Sequence, residues 1–332
     1  MKFIRIILFP IVPIYYIVTW LRNRLYDLGI KSSKSYDFPV ICVGNLSTGG
    51  TGKTPMIEYL IRLLKDDKSI ATLSRGYKRK TEGFVLADED ANADSIGDEP
   101  FQFYNKFEHL TVAVDGDRQN GIAQLLNLST KPDIILLDDA YQHRKVKAGF
   151  NILLTAYNNL YYKDVVLPTG NLREPRSGAK RADIIVVTKC RKNISEAEKN
   201  KITSKIKLEN HQKLFFSYVD YADTVRSSLN SLELITLPKF TLVTGIANAK
   251  PLVDFLANKG LKFDHLEYSD HYNFRPSDID TLASKSLIIT TEKDYVRLSV
   301  NESLKDKLYY LPIQIKIDRS EIFNATIKSF VS

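Results

Sequence analysis

The chain has 332 residues, 44% of them apolar and 26% charged, with a formal net charge of +8. That excludes a disordered tail or a fibre, and the length accommodates about two domains whose cores need no staples. Only Cys42 and Cys190 are cysteines, which excludes a disulfide framework and a four-cysteine zinc site and makes a reducing compartment the default; the basic balance leaves nucleic acid, an anionic membrane surface or a phosphorylated substrate as partner classes.

Residues 3–21 are almost entirely apolar, interrupted by Arg5, Pro10 and Pro13. Around this run lie Lys2, Arg5, Arg22, Arg24, Lys31 and Lys34, against Asp27 as the single acid in residues 1–34. An apolar stem with Tyr15, Tyr16 and Trp20 and a basic flank suits a helix lying in a membrane interface, where each cation is worth on the order of 1 kcal/mol near anionic lipid. Burial against the folded body and true spanning are the alternatives, and Thr19-Trp20-Leu21-Arg22 offers no small-x-small cleavage site. More than half of the excess charge gathers here, which favours a membrane surface over nucleic acid.

Beyond this helix, apolar runs at 39–43, 69–73, 83–86, 111–115, 133–137 and 151–154 predict strands, and 53–65, 99–107 and 118–128 predict helices. The second half predicts strands at 183–188, 214–218, 240–244 and 287–291, with helices at 195–207 and 249–259. Alternating strands and helices predict an α/β fold with a mostly parallel sheet covered on both faces. The Asn- and Tyr-rich segment near 155–165 marks the expected division into an N-terminal membrane-associated helix (1–34), a nucleotide-binding domain (35–155) and a C-terminal α/β domain (156–332).

Gly44-Asn45-Leu46-Ser47-Thr48-Gly49-Gly50-Thr51-Gly52-Lys53-Thr54-Pro55 joins a predicted strand to a predicted helix, the setting of a phosphate loop. Ser47 through Thr54 are the expected nucleotide contacts: the glycines let backbone N–H groups crowd around phosphate, Lys53 reaches the β and γ phosphates, and the Thr54 hydroxyl serves Mg²⁺. Ser47 stands where the first glycine of the general pattern belongs. The strand ending in Asp138 and Asp139 would place a carboxylate beside the metal. Thr188-Lys189-Cys190-Arg191 lacks the aspartate of a guanine-reading tetrad, and Thr48 occupies the position of the signature lysine of partition-type ATPases; both departures favour a metabolic enzyme over a switch protein.

In order, VGNLSTGGTGKTP, SRGYKRK, GDEPFQ, DGDR, DDAYQHR, GNLREP, SDHYNF and TTEKDYVRL resemble the motifs of the tetraacyldisaccharide 4′-kinases, the lipid A 4′-kinases of Gram-negative envelopes. The resemblance runs from the N-terminal helix to about residue 298. It implies a phosphate-loop domain and a second, smaller α/β domain with the active site between them. It implies transfer of the γ-phosphate of ATP, with Mg²⁺, to the 4′-hydroxyl of an acylated disaccharide 1-phosphate, by a peripheral enzyme on the cytoplasmic face of the inner membrane. Under it Asp98 becomes the general base, paired with His271 and assisted by Lys53, although Asp98 by propensity alone reads as a helix N-cap. Glu99 joins Thr54, Asp138 and Asp139 around the metal. Arg75, Arg118, Arg173 and His143 become substrate-side residues, the arginines because a guanidinium fork matches phosphate. Lys293 and Asp294 fit either a nucleotide contact or a stabilising turn. A membrane-associated switch ATPase acting through a protein partner is the alternative, and it predicts slow hydrolysis with no phosphorylated small molecule.

Overall fold

The computed structural model describes residues 5, 7–270 and 272–332. The first long helix, α1 (Val12–Asp27), carries Pro13 in its first turn, where the missing N–H is harmless. It turns Ile14, Ile17, Val18 and Leu21 outward, each about half or more exposed. Among the described residues no helix is long and apolar enough to cross a membrane.

A nine-stranded sheet follows, built on β1 (Val40–Asn45), β2 (Ile70–Ser74), β3 (Val85–Leu86), β4 (Thr111–Val114), β5 (Ile134–Asp138), β6 (Phe150–Ala156), β7 (Ile184–Thr188) and β8 (Lys213–Tyr221). Its spatial order is β15-β8-β7-β6-β1-β5-β2-β4-β3, with β15 (Ile313–Ile317) returning from the end of the chain. All neighbours pair in parallel except β3 with β4 and β15 with β8. The central strands are buried on both faces, so they read as continuous apolar runs. In β1, Val40 and Cys42 face one core while Ile41 and Val43 face the other.

The first core is closed by α5 (Arg118–Leu126) and α6 (Glu196–Ile206). The second is closed by α2 (Lys53–Leu64), α4 (Asp98–Lys106) and the terminal helix α10 (Ser320–Val331). A short helix, α3 (Ala93–Ile96), precedes α4.

The second body is a six-stranded sheet of β9 (Thr224–Arg226), β10 (Ser231–Glu233), β11 (Phe240–Thr244), β12 (Phe263–Glu267), β13 (Ile288–Thr290) and β14 (Leu308–Tyr310), in the order β10-β9-β14-β13-β11-β12. Helices α7 (Lys250–Asn258), α8 (Pro276–Ala283) and α9 (Glu292–Leu298) cover it. The expected division near residue 155 falls inside the large sheet, because β6, β7 and β8 extend it in parallel and β15 closes its edge. By sheet membership the second body spans Thr224 to Tyr310.

Candidate active site

The parallel strands bring their carboxyl ends to one edge, the place where open α/β sheets receive ligands. There β1 delivers the loop 46–52, β2 delivers Arg75, β5 delivers Asp138 and Asp139, and β7 delivers Thr188 and Lys189. Gly52 adopts φ +87° as the N-cap of α2, a conformation an L side chain would strain, and no side chain caps the helix. The first N–H groups of α2 are therefore left without a side-chain cap, at the helix end whose dipole favours an anion.

Three neighbours fix the loop. Asn45 Nδ2 donates to Thr51 Oγ1 at 2.8 Å and to the Gly49 carbonyl at 3.4 Å. The Thr188 hydroxyl donates to the Thr51 carbonyl at 2.7 Å, and Lys189 Nζ to the Gly50 carbonyl at 2.7 Å. Ser47 is buried and bridges to Leu172, and Thr48 N–H donates to the Asn171 carbonyl at 2.7 Å. Desolvation by the loop, then repulsion from Lys53, lowers the pKa of Lys189. Two ammonium groups converge on one glycine-rich loop, an arrangement that an anion between them would relieve.

The two aspartates divide. Asp139, at φ +50°, receives Arg173 on both oxygens, at 2.7 and 3.2 Å, and lies 3.7 Å from Lys53 Nζ. Burial pushes its carboxyl up, but Lys53 and Arg173 outweigh this and leave it below its ordinary value. Asp138 is buried with Oδ1 lacking any hydrogen-bond partner, and burial, reinforced by Glu99, pushes it up to about 8. Next to it the Thr54 hydroxyl donates to Glu99 Oε1 at 3.2 Å.

No group of three or more His, Cys, Asp or Glu forms a ready ion cage among the described residues. Mg²⁺ does not need one, because it commonly keeps waters and substrate phosphates and takes one or two carboxylates. The unpartnered Asp138 oxygen beside Thr54 and Glu99 fits that donor set, whereas both oxygens of Asp139 are engaged by Arg173.

The shift at Asp138 has a stability consequence. Its folded pKa lies above the unfolded one, so the stability it contributes is present at low pH and is lost as pH rises from the ordinary carboxylate range through about 8. In nucleotide- and metal-free protein, Asp138→Asn should raise Tm at pH 8.5 and do so much less at pH 5. A thermal scan with equal differences at the two pH values would contradict the assignment.

Several residues land differently from their expected roles. Gly97, at φ +92°, is the N-cap of α4, and Asp98 opens the helix without capping it. Asp98 is ion-paired with Arg297 of α9. Arg118 is buried and donates to the Asp115 carbonyl, with the Asp138 carbonyl at 3.5 Å, so it supports the acidic strand end from beneath. Arg173 binds Asp139 and the Asn45 carbonyl, bracing the strand ends. His143 is half-buried with Nε2 unpartnered, and burial followed by Arg118 lowers its pKa. Arg75 is exposed and lines a cavity of about 600 Å³ with Tyr77, Lys78, Asp115 and Asp117. His271 lies outside the described residues.

Glu174 is a hub that the motif reading passed over. It is buried and accepts from Arg181 at 2.9 and 3.0 Å, from Gln142 at 2.9 Å and from Asn23 of α1 at 2.5 Å. Gln142 also donates to the Asn45 carbonyl at 2.8 Å, so the N-terminal helix is joined to the phosphate-loop strand through two side chains. A glutamate next to Arg173 in the Asn-Leu-Arg-Glu-Pro motif was the available signal.

The family model described as tetraacyldisaccharide-1-P 4′-kinase matches residues 4–332. A tetraacyldisaccharide 4′-kinase of Flavobacterium johnsoniae is 53% identical over 338 residues, covering 100% of this chain and 98% of that protein. One of Phocaeicola vulgatus is 43% identical over 345 residues, covering 98% of this chain and 94% of that protein. The crystal structure of LpxK from Aquifex aeolicus in complex with ATP superposes with a TM-score of 0.80 at 30% identity, covering 99% of this chain and 100% of that one. A phosphate loop followed by an aspartate-led helix and then an acidic strand end, with the family model matching nearly the whole sequence, places the chain in the tetraacyldisaccharide-1-P 4′-kinase family.

Proposed function

We propose that the chain transfers the γ-phosphate of ATP to the 4′-hydroxyl of a tetraacylated disaccharide 1-phosphate. The observation that carries the site assignment is the meeting of an uncapped helix N-terminus, Lys53 and the unpartnered Asp138 oxygen at one strand edge. Gly49 to Thr54 cradle the triphosphate with backbone N–H groups, whereas Thr48, expected in the cradle, already gives its N–H to the Asn171 carbonyl and Ser47 is buried beside Leu172; Lys53 neutralises charge on the transferring phosphoryl group. Thr54, Glu99 and Asp138 would hold the Mg²⁺, which would supply positive charge to the transferred phosphate. Arg173 and Lys53 keep Asp139 ionised and fix the strand end against the loop.

Asp98 accepts the proton of the attacking hydroxyl, with His271 its partner by the family pattern. Arg75 and its cavity form the sugar side. Phosphoryl transfer depends mainly on position and charge neutralisation, which is why most of these residues brace one another. A kinase and a switch ATPase differ in one readout. ADP release should depend on added acylated disaccharide 1-phosphate in detergent; equal ADP release without that acceptor would overturn the kinase assignment.

The enzyme works at a membrane surface, on the cytoplasmic face of the inner membrane, where ATP is available and the lipid acceptor resides. The outward Ile14, Ile17 and Leu21 of α1 enter the interface and the flanking cations meet anionic headgroups. Asn23 and Tyr15 hold the opposite side of the helix on the body, through Glu174 and the Arg173 carbonyl at 3.0 Å. Placing aspartate at 14, 17 and 21 together should reduce flotation with vesicles containing anionic lipid by about tenfold or more, since it removes apolar burial and adds repulsion. Unchanged flotation would refute the interfacial role of this face.

A further inference from the structure

Arg297 belongs to α9 in the six-stranded body, yet its guanidinium reaches Asp98 of α4 in the other body. Nε donates to Asp98 Oδ2 at 3.1 Å, and Nη2 binds the same oxygen. Nη1 donates to the Tyr272 carbonyl at 3.4 Å and lies 3.8 Å from Asp294. Asp294 is fully buried and is itself fixed by the Gly245 N–H at 2.8 Å and the Thr291 hydroxyl at 2.7 Å. Arg297 is only 10% exposed, so its direction is set by the second body and not by solvent.

The same two helices meet at a second polar point. Lys106 of α4 lies 2.6 Å from Glu292 of α9 and 2.7 Å from Glu58 of α2, while Gln102 donates to both carboxylates at 2.9 and 3.4 Å. The seam between α4 and α9 is thus pinned at both ends, and one pin is the side chain that faces the reaction. Two guanidinium nitrogens on the same carboxylate oxygen hold Oδ2 from two directions, so the position of the carboxylate is tied to that of α9 more tightly than a single ammonium would tie it. An arginine needed only to join the bodies had no reason to bind this aspartate, because the Lys106 cluster already does so.

We propose that Arg297 is a positioning residue for the reaction: it orients the Asp98 carboxylate toward the acceptor hydroxyl, and it does so only while the six-stranded body is seated on α4. The second body then sets the base as well as covering the cleft. This inference rests on Asp98 acting as the base.

The test is steady-state kinetics on the full-length enzyme in detergent, with ATP and acylated disaccharide 1-phosphate, for Arg297→Gln and Arg297→Lys in wild-type and Asp98→Asn backgrounds. Arg297→Gln should lower kcat by about thirtyfold with KM for ATP changed less than about twofold, and Arg297→Lys should lower kcat by about fivefold. In the Asp98→Asn background, Arg297→Gln should change kcat by less than about threefold, because both substitutions act on one function. A kcat for Arg297→Gln within about twofold of wild type, with Asp98→Asn strongly impaired, overturns the proposal and leaves the base assignment standing. Equal falls in both backgrounds also overturn it, because the arginine is then only structural. Near-normal kcat for Asp98→Asn overturns the base assignment and the proposal together. If Arg297→Gln loses its cooperative thermal transition, Arg297→Lys decides: a fall of about fivefold supports the proposal and a kcat within about twofold of wild type overturns it.

Discussion

Lys53→Ala should lower kcat by about two orders of magnitude or more, a loss of about 2.7 kcal/mol of transition-state stabilisation. Lys53 is the first residue of α2, so it stands where the helix dipole already favours phosphate. Its charge is held near the loop by Asp139 at 3.7 Å. Removing it leaves Asp139 with both of its Arg173 hydrogen bonds, so the strand end keeps its support and Tm should move little. The kinetic pattern matters as much as the size. A rise in KM for ATP with kcat unchanged would mean that Lys53 binds ground state and transition state equally, and its catalytic role would be lost.

Asp98→Asn should have an effect of similar size, about a hundredfold or more on kcat, with ATP affinity preserved because the residue lies outside the phosphate loop. Asparagine keeps an oxygen for Arg297 to bind, whereas alanine would leave a nearly buried guanidinium without this carboxylate. Asp98→Ala should therefore lose activity and also several degrees of Tm, while Asp98→Asn, which loses the charge but keeps an oxygen acceptor, should lose activity with a smaller fall in Tm. Isothermal titration with an ATP analogue, beside kcat and a thermal scan, separates the two variants. Near-normal turnover in Asp98→Asn would remove Asp98 from the chemistry.

Local patterns revealed much of the large sheet. β1, β5 and β7 are short apolar runs bounded by glycine or acidic residues, and the loop motif fixed where α2 begins. The second body was harder to see. β12 reads Phe-Asp-His-Leu-Glu and is only partly buried, and β9, β10 and β14 have three residues each, too few to show a period. β15, Ile-Gln-Ile-Lys-Ile, alternates clearly, but nothing local says that it closes the sheet begun by β1. The division at 155 failed for the same reason: sheet membership is a long-range property.

The site divides along similar lines. Lys53, Thr54 and Asp138 announce themselves through residue type and spacing. Arg118 has the chemistry of an anion contact, but the turn from β4 into α5 buries it under the acidic strand end, and burial is not written in an Asp-Gly-Asp-Arg motif. Arg297 lies inside the TTEKDYVRL motif, but nothing local names its partner, which lies 199 residues away. Asp98 shows how backbone geometry overrides propensity, because Gly97 at φ +92° takes the capping position and turns the aspartate into the first helical turn.

A kinase of this family phosphorylates one defined hydroxyl of a lipid-linked sugar. The most direct measurement is proton and phosphorus NMR of the lipid recovered after incubation of the full-length protein with ATP, Mg²⁺ and tetraacylated disaccharide 1-phosphate in detergent. A second phosphomonoester coupled to the proton on C4′, absent when Lys53→Ala replaces the wild type, is the predicted result. Unmodified lipid from folded wild-type protein, or a phosphate on any other carbon, would contradict it.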